Sequence, residues 1–431
     1  MFSRSFILLV TIIITPVALS PVLASDTTSS SSTPNMGLER GLKDVIWSCL
    51  ITASACALVT VRPNVPDRTE NPGSRSATRR RLGVICWGLF APEMLLLWSA
   101  KQWLGARRLM REYHDNGWTM AHGHFLQMGG FMLYEDEEPK GILTPERLRE
   151  LLASGRVELP PVTEADIKDL GKRDVFFKAF AVVQTAWLVV QCVARAVSGL
   201  VVTQLELLTI TVALAYGAMY FFWWDKPLDV RRPVPVFLLD ETKEDKDSVL
   251  IKEDEAAESS GTAETPKPLS SPWLSVVSIV KHFHELTESQ PGASGSVSPA
   301  QMSVPAFYSA PSDPDSTEDK TIKLRIASGI ALMFVAIYSI GLVPGLLPFP
   351  TYGEALLWKL SSIVVAAATS TMLLELSGAY HLTLRQAVKR QLLDAYLVAR
   401  VVLLVEALAA LRDLPSTAYT AIAWTSYIPH V

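Results

Sequence analysis

The histidines and their acidic neighbours are the residues whose types and spacing could bind a metal or transfer a proton. His122 and His124 are separated by one residue, as are His282 and His284, which precede Glu285. Residues at i and i+2 lie on opposite sides of a helix but on one face of a strand, and a metal site needs further ligands. The nearest candidates for the first pair are His114, Asp115 and Glu135. Such pairs are common by chance, so the sequence predicts no metal, no cofactor and no catalytic residue.

Polar side chains inside apolar stretches are the second group that could do chemistry. Gln184 and Gln191 are seven residues apart and share a helix face, as do Gln204 and Thr211. The connection between the two stretches is short, which predicts antiparallel neighbours joined by a hydrogen-bonded seam rather than a substrate path. Glu206 lies near the end of its stretch, which disfavours a proton relay.

The composition identifies the elements that must carry these residues. Of the 431 residues, 49% are hydrophobic and only 19% are charged, against about 25% in soluble domains. The apolar residues are concentrated in long blocks, which excludes an ordinary cytosolic enzyme and predicts a multi-pass membrane protein. Four cysteines in this length exclude a disulfide scaffold.

Seven apolar segments are predicted to be membrane helices, because backbone groups in lipid must be satisfied within the segment. They cover 45–61, 83–104, 176–194, 201–223, 326–347, 357–376 and 393–411. Two of them are unusual. Segment 83–104 contains Pro92 and Glu93, and segment 393–411 contains Arg400 and Glu406.

The distribution of positive charge favours a re-entrant segment 83–104. If all seven segments cross, 9 of the 27 Lys and Arg residues near the span ends are cytosolic and 18 are lumenal. If segment 83–104 enters and returns on one face, 22 are cytosolic and 5 are lumenal, in agreement with the positive-inside rule. Pro92 would break the helix at the turn, and Glu93 could face protein or water there. Residues 62–81 and 105–175 would then share the cytosolic side.

The predicted fold class is all-α, a polytopic helical membrane protein with five to seven transmembrane segments, one of them re-entrant, and a disordered acidic loop. The N-terminus has a short basic region, an apolar stretch at 6–19 and small residues before a cleavage site, which indicates a signal peptide; an uncleaved signal anchor is the alternative. The predicted divisions are a signal peptide at 1–24, a lumenal Ser/Thr-rich tail at 25–44, the first two segments at 45–104, a hydrophilic cytosolic region at 105–175, a transmembrane hairpin at 176–224, the acidic loop at 225–325, the C-terminal segments at 326–411 and a tail at 412–431.

The acidic loop is predicted to be disordered, because its central part has high charge and few apolar residues. Residues 240–320 contain 16 acidic residues and 6 lysines. Ser/Thr-Pro pairs at Thr265, Ser271 and Ser298 are predicted phosphorylation sites. Residues 273–286 interrupt the loop with apolar side chains at helical spacing, which predicts a short amphipathic helix. This helix is expected to dock on the membrane or on the basic loops, or to bind a protein partner.

Several strings in the chain resemble those of an uncharacterised family of fungal multi-pass integral membrane proteins. They are Trp47-Ser48-Cys49, Pro63-Asn64-Val65-Pro66, Ala91-Pro92-Glu93, Met128-Gly129-Gly130-Phe131, Trp223-Trp224-Asp225-Lys226-Pro227 and Ile428-Pro429-His430-Val431. The resemblance runs from about residue 38 to the C-terminus, apart from the acidic loop. It implies a helical membrane fold and no particular activity.

Three classes of function remain open on the sequence. A non-catalytic scaffold or sensor is preferred, because charge is segregated and catalytic signatures are missing. A small-molecule or ion transporter is the first alternative. A membrane-embedded enzyme that uses interfacial histidines is the second, with His114, His122, His124 and His381 as candidates. Expected partners are membrane lipids, including anionic ones, and a protein bound through 273–286, with no nucleic acid. The expected location is the secretory pathway or the plasma membrane.

Overall fold

A computed structural model describes residues 40–65, 75–135, 137–169, 175–228, 230, 232–239, 301–305, 308–310, 317–343, 347–377 and 386–420. The predicted signal peptide, most of the Ser/Thr-rich tail and the last eleven residues lie outside this range. Segment 240–300 also lies outside it, with the predicted amphipathic helix at 273–286 and the predicted phosphorylation sites.

The described chain is mostly helical, with one small sheet. In chain order its elements are α1 (Leu42–Thr60), α2 (Arg75–Phe90), α3 (Pro92–Glu112), α4 (Met120–Gln127), β1 (Phe131–Glu135), β2 (Glu138–Ile142), α5 (Pro145–Ala153), α6 (Glu164–Asp169), α7 (Val175–Val197), α8 (Gln204–Phe222), β3 (Val234–Phe237), α9 (Thr317–Ile340), α10 (Tyr352–Ser377), α11 (Gln386–Ala409) and α12 (Ser416–Tyr419).

Five helices of the described chain are long and apolar enough to cross a membrane. They are α1, residues Ala179–Val197 of α7, α8, residues Asp319–Ile340 of α9 and residues Tyr352–Leu374 of α10. Each corresponds to one of the predicted apolar segments. The segment predicted at 393–411 forms most of α11, but this helix also carries five charged residues and is not among the five.

The predicted segment 83–104 is two helices rather than one. Residues Leu82–Phe90 of α2 and helix α3 meet at Ala91 with a bend of 113°. Pro92 explains the break, because it lacks a backbone N–H and excludes Ala91 from the helical region, where Ala91 has φ −132° and ψ 65°. Because this bend is greater than 90°, the chain in α3 runs partly opposite to its direction in α2, as a re-entrant segment requires.

The long helices form one bundle with two distinct ends. Helix α1 packs against α7 and α8, α9 packs against α10, and α10 packs against α11. Arg62, just after α1, contacts Trp223, just after α8, and this end is called the near end. Arg40 and Glu206 pair at 2.7 Å where the same helices begin, at the far end. Helices α1 and α8 are therefore parallel.

The described chain is mostly helical, as the all-α prediction expected, but it also contains a three-stranded sheet at the near end, which the prediction did not include. Its strand order is β2-β1-β3, with β1 antiparallel to β2 and parallel to β3. Strand β1 escaped prediction because Phe131, Met132 and Leu133 are all buried, so no apolar-polar alternation is visible. Helices α4, α5 and α6 cover the sheet and share a second hydrophobic core with it.

The prediction that residues 225–325 are disordered is wrong at both ends of that range. Strand β3 pairs with β1 at one end, and helix α9 begins at Thr317 at the other. Between them, Val304 and Tyr308 are buried against the sheet. The reason is local, because these flanks carry apolar residues that the composition of the whole acidic stretch conceals.

Candidate functional site

A buried polar cluster joins the near ends of α1 and α8 to the middle of α3. We call it the junction cluster; its residues are Arg62, Asn64, Gln102, Trp223 and Lys226. The Lys226 ammonium donates to the Arg62 carbonyl at 2.8 Å, to Asn64 Oδ1 at 3.0 Å and to Gln102 Oε1 at 3.1 Å. An ammonium has three N–H groups, so these neutral oxygens fill its donor capacity.

Arg62 makes the reciprocal contacts. Its Nη1 donates to the Trp223 carbonyl at 2.5 Å and to the Lys226 carbonyl. The Trp223 indole in turn donates to Gln102 Oε1 at 3.0 Å. These carbonyls follow the C-terminus of α8, where unsatisfied backbone oxygens and the helix dipole favour a cation. The junction cluster therefore holds the connection after α1 against the connection after α8.

The same cluster ties segment 301–310 to the helices. Gln102 Nε2 donates to the Tyr308 carbonyl at 2.8 Å, and Asn64 Nδ2 donates to the Pro305 carbonyl at 2.8 Å. Gln127 Oε1, on α4, accepts from the Ala310 N–H at 2.9 Å. The chain that follows the acidic segment is thus fixed to the bundle by buried amide side chains.

Burial sets the protonation of the groups around the junction cluster. Burial lowers the pKa of Lys226 well below its ordinary value, and the nearby Arg62 lowers it further. Burial also lowers the pKa of His124 to about 3, with smaller contributions from Lys226 and Arg62. His124 is therefore neutral at physiological pH, in keeping with a buried Nε2 that has no partner among the described residues.

A second polar cluster lies in the apolar core of the bundle, at the bend between α2 and α3. We call it the inner cluster; its residues are Glu93, Tyr338, Tyr396 and Arg400. The Tyr338 and Tyr396 hydroxyls donate to the two Glu93 oxygens at 2.5 and 2.7 Å. Arg400 Nη1 lies 3.5 Å from Glu93 Oε1 and donates to the Tyr338 hydroxyl at 2.8 Å.

The inner cluster also stabilises the bend itself. Arg400 Nε donates to the Phe90 carbonyl at 2.9 Å, at the end of α2, where the helix break leaves carbonyls without helical partners. Glu93 and Arg400 are both buried. Glu93 lies nine residues along α3 from Gln102, about 13 Å at the helical rise. The inner cluster therefore lies deep in the bundle, well away from the junction cluster.

The far end of the bundle is held by a separate set of contacts. Arg195, at the end of α7, donates to the carbonyls of Thr417, Ala418 and Thr420. Gln204 Nε2 donates to the Pro348 carbonyl in the connection between α9 and α10. The beginnings of α1, α8 and α10 and the segment after α11 therefore share the far end.

The candidate histidines do not converge on one site. His122 contacts Thr119 and the Val162 carbonyl, His124 is buried nearby, and His114 is exposed. His381 lies outside the described residues. Gly123 separates the pair for a packing reason, because a Cβ there would lie 2.4 Å from the Ala106 carbonyl of α3. The part of the chain that the structure describes contains no group of three His, Cys, Asp or Glu residues able to hold a metal.

The predicted hydrogen-bonded seam between the third and fourth segments, α7 and α8, is wrong, because their polar side chains have other partners. Gln184 Nε2, on α7, donates to Thr52 Oγ1 on α1 at 3.3 Å. Thr211, on α8, donates to the Leu207 carbonyl within its own helix. The sequence spacing identified shared helix faces but not the helix that each face contacts.

The sequence did not predict either polar cluster, although several of the residues in them belong to strings that the sequence analysis singled out. The strings at 63–66, 91–93 and 223–227 supply Asn64, Glu93, Trp223 and Lys226. Glu93 and Arg400 are isolated opposite charges in two apolar segments, a signal that could have predicted their pairing.

Comparison with known proteins identifies a family for this chain. The family of unknown function DUF8562 matches residues 7–117 and 110–254, a range that contains the whole junction cluster and Glu93. No curated protein and no solved structure matches the chain. Because the matched ranges together cover more than half of the 431 residues, the chain belongs to the family of unknown function DUF8562.

Proposed function

We propose that the protein is an integral membrane protein and a non-catalytic scaffold, which holds a small sheet domain at one membrane surface and displays segment 240–300 from it. The observation that carries this proposal is that both ends of the segment are hydrogen-bonded to the same sheet region. Leu238 N–H donates to the Tyr134 carbonyl of β1 at 2.9 Å. On the other side, Ile142 N–H of β2 donates to the Gln301 carbonyl at 3.0 Å.

Membrane insertion is supported by the five apolar helices and by side chains on their outer faces. Exposed large hydrophobic residues recur along α1, α7, α9, α10 and α11; they include Trp47, Val183, Leu332, Ile363 and Val405. Water would disfavour so large an apolar surface, whereas lipid would cover it. In this proposal the six helices α1, α7, α8, α9, α10 and α11 cross, and α2 with α3 forms the re-entrant segment.

Contacts at the near end, together with the distribution of charge, support a cytosolic side for the sheet domain. Val65 N–H donates to the Met128 carbonyl at 2.9 Å, so the chain after α1 touches the region after α3. This contact favours an arrangement in which residues 62–81 and 105–175 lie on the same side of the membrane. The 22-to-5 distribution of Lys and Arg residues favours the cytosol as that side. A membrane of the secretory pathway or the plasma membrane is the proposed location.

Segment 240–300 suits display because it is strongly acidic and contains the amphipathic pattern at 273–286. We propose that this pattern binds a protein partner. The two points at which segment 240–300 joins the sheet, near Leu238 and Gln301, are separated by three strand spacings, about 15 Å. A long insertion between two such points changes stability little, because the entropy of loop closure grows slowly with length.

Excision of the segment tests this arrangement. Replacing residues 242–299 with a ten-residue Gly/Ser linker, which reaches about 17 Å, is expected to leave the free energy of unfolding unchanged or to raise it by up to about 1.5 kcal/mol, because the shorter loop closes at a smaller cost in entropy. Unfolding in detergent micelles would measure it. A matched deletion of 242–310 also removes the partners of Gln102, Asn64 and Gln127, and it should cost about 3 kcal/mol or more. If the shorter excision is as damaging as the longer one, segment 240–300 is part of the folded core and the proposal fails.

Transport of a small molecule or ion is the second candidate function, and one observation favours it. The inner cluster puts a buried carboxylate and guanidinium at a broken helix, which is where transporters place their substrate and coupling-ion sites. We rank it second because protein donors occupy both Glu93 oxygens, so the cluster has a sufficient structural role in holding the bend.

A further inference from the structure

Helices α1 and α7 run antiparallel with a register that short side chains fix. Cys56 Sγ, on α1, lies 3.0 Å from Thr185 Oγ1, on α7. Further toward the near end, Val59 of α1 packs with Ala181 of α7 in one buried cluster. Residue numbers therefore rise along α1 as they fall along α7. Because the side chains that touch are short, the two backbones approach closely along this face.

The same register brings two cysteines opposite each other, one heptad closer to the far end. Cys49 precedes Cys56 by seven residues, and Cys192 follows Thr185 by seven residues. Seven residues differ from two full helical turns by only about 20°, so both cysteines lie on the faces that carry the Cys56–Thr185 contact. We call Cys49 and Cys192 the thiol pair.

Burial and electrostatic contacts agree with this placement of the thiol pair. Cys49 is 2% exposed and Cys192 is 1% exposed, and both are free thiols in the structure. Cys192 lies within electrostatic range of Cys49, and both thiols lie within electrostatic range of Glu206 and Arg40. The two cysteines therefore share one surrounding at the interface of α1 and α7.

The thiol pair lies just inside the polar contacts of the far end. Arg195, which binds the carbonyls of segment 417–420, follows Cys192 by three residues, a rise of about 4.5 Å along α7. Glu206, in the first turn of α8, is a neighbour of both thiols. In the arrangement proposed above the far end is lumenal, and the lumen of the secretory pathway is an oxidising compartment.

We propose that Cys49 and Cys192 form a disulfide bond that joins α1 to α7 on the lumenal side. This proposal rests on the lumenal placement of the far end and adds a covalent modification site to it. Cys56, which faces Thr185, and Cys86, which is exposed on α2, stay thiols. One bond between two packed helices is compatible with the low cysteine count, which excludes only a fold built on disulfides.

Thiol–disulfide exchange with a protein disulfide carrier of the lumen supplies the oxidation. The Cys192 thiolate attacks one sulfur of the carrier disulfide and expels the other sulfur as a thiolate. The Cys49 thiolate then attacks the Cys192 sulfur of this mixed disulfide and releases the carrier. The thiol pair loses two electrons and two protons, and the carrier takes them up as a dithiol. Because the packed bundle buries both thiols, the exchange precedes the packing of α8 against α1.

A protease-cleavage site inserted in 66–74 tests the proposal in the full-length protein. Membranes that contain the protein are treated with N-ethylmaleimide to block free thiols, and the protein is then cleaved and denatured in dodecyl sulfate. We expect the two fragments to stay joined without a reductant and to separate when dithiothreitol is added. Mass spectrometry of the uncleaved natural chain should find Cys49 and Cys192 in one linked peptide.

Single serine variants identify the partners of the bond. Cys192→Ser should release the N-terminal fragment without a reductant. Cys56→Ser is the matched control, since Cys56 lies one heptad from Cys49 on the same helix face, and it should keep the fragments joined, as should Cys86→Ser. Fragments that separate without a reductant in the protein with all four cysteines would overturn the proposal. A link that survives Cys192→Ser would also overturn it, because Cys49 would then have another partner.

A glycosylation acceptor before α10, beside Tyr352, separates the disulfide from the topology on which it rests. If that acceptor is modified and both thiols of the pair are free, the far end is lumenal and the disulfide proposal alone is wrong. If the acceptor is unmodified and both thiols are free, the lumenal placement of the far end is wrong as well.

Discussion

Replacing Arg400 with methionine is expected to lower the free energy of unfolding by about 3–5 kcal/mol. The substitution leaves the Glu93 carboxylate in the apolar core without its cation, and it removes the donor to the Phe90 carbonyl at the bend. Denaturant unfolding in detergent micelles, followed by tryptophan fluorescence, would measure the loss. The expected effect is large because the cost of burying one charge without a partner exceeds the net stabilisation that a buried ion pair provides.

Two companion variants separate the pair from general damage. Combining Glu93→Gln with Arg400→Met removes both charges, and it should cost less than the Arg400→Met change alone. Arg412→Met breaks the exposed contact with Glu354 at the far end and should cost no more than about 1 kcal/mol. An Arg400→Met protein as stable as the Arg412→Met protein would show that the inner cluster does not hold the bundle.

The pH dependence of stability should report the buried His124. Its folded pKa of about 3 is below the ordinary value of 6.5, so the unfolded chain takes up a proton that the folded chain excludes. The stabilisation is complete above pH 6.5 and is lost as the pH falls toward 3. Each pH unit in that window costs up to about 1.4 kcal/mol, so the protein should lose roughly 2–3 kcal/mol between pH 6.5 and 4.5 from this group alone.

A His124→Gln variant should therefore lose less stability than the natural protein over the same pH interval. The two proteins are compared by the slope of the free energy of unfolding against pH. Carboxylates elsewhere titrate in both proteins, so only the difference between the slopes reports His124. His114→Gln, at an exposed position, is the control and should keep the natural slope. If His124→Gln and the natural protein show parallel pH profiles, His124 is not a neutral buried side chain.

The helices that could be predicted are those whose sequences are uniformly apolar over about 20 residues. Five of the seven predicted segments meet that description in the structure. The bend at Ala91 was also predictable, because Pro92 disrupts helical geometry whatever the surroundings. These features depend on local sequence, so one chain is enough to find them.

The features that could not be predicted depend on contacts between distant parts of the chain. Strand β3 pairs with β1 across about a hundred residues, and β2 contains a proline and a glycine that disfavour a strand. Lys226 finds its acceptors on Arg62, Asn64 and Gln102, in two other parts of the chain. No period or motif encodes these partners, so the junction cluster appears only once the fold is known.

In the proposed arrangement α2 and α3 form a re-entrant segment, which leaves residues 62–81 and 105–175 on one side of a membrane. Glycosylation mapping tests it with little ambiguity, because the natural chain contains no Asn-x-Ser/Thr acceptor. Single acceptors with flexible spacers would be inserted in 66–74, at the exposed β1–β2 turn near Glu137, and before α10 beside the exposed Tyr352.

We expect the lumenal enzyme to modify only the acceptor beside Tyr352, since that position lies at the far end of the bundle. The acceptors in 66–74 and at the β1–β2 turn should both stay unmodified, because Val65 and Met128 bring those regions together at the near end. Modification at the β1–β2 turn but not in 66–74 would mean that segment 83–104 crosses the membrane, and it would contradict the re-entrant arrangement.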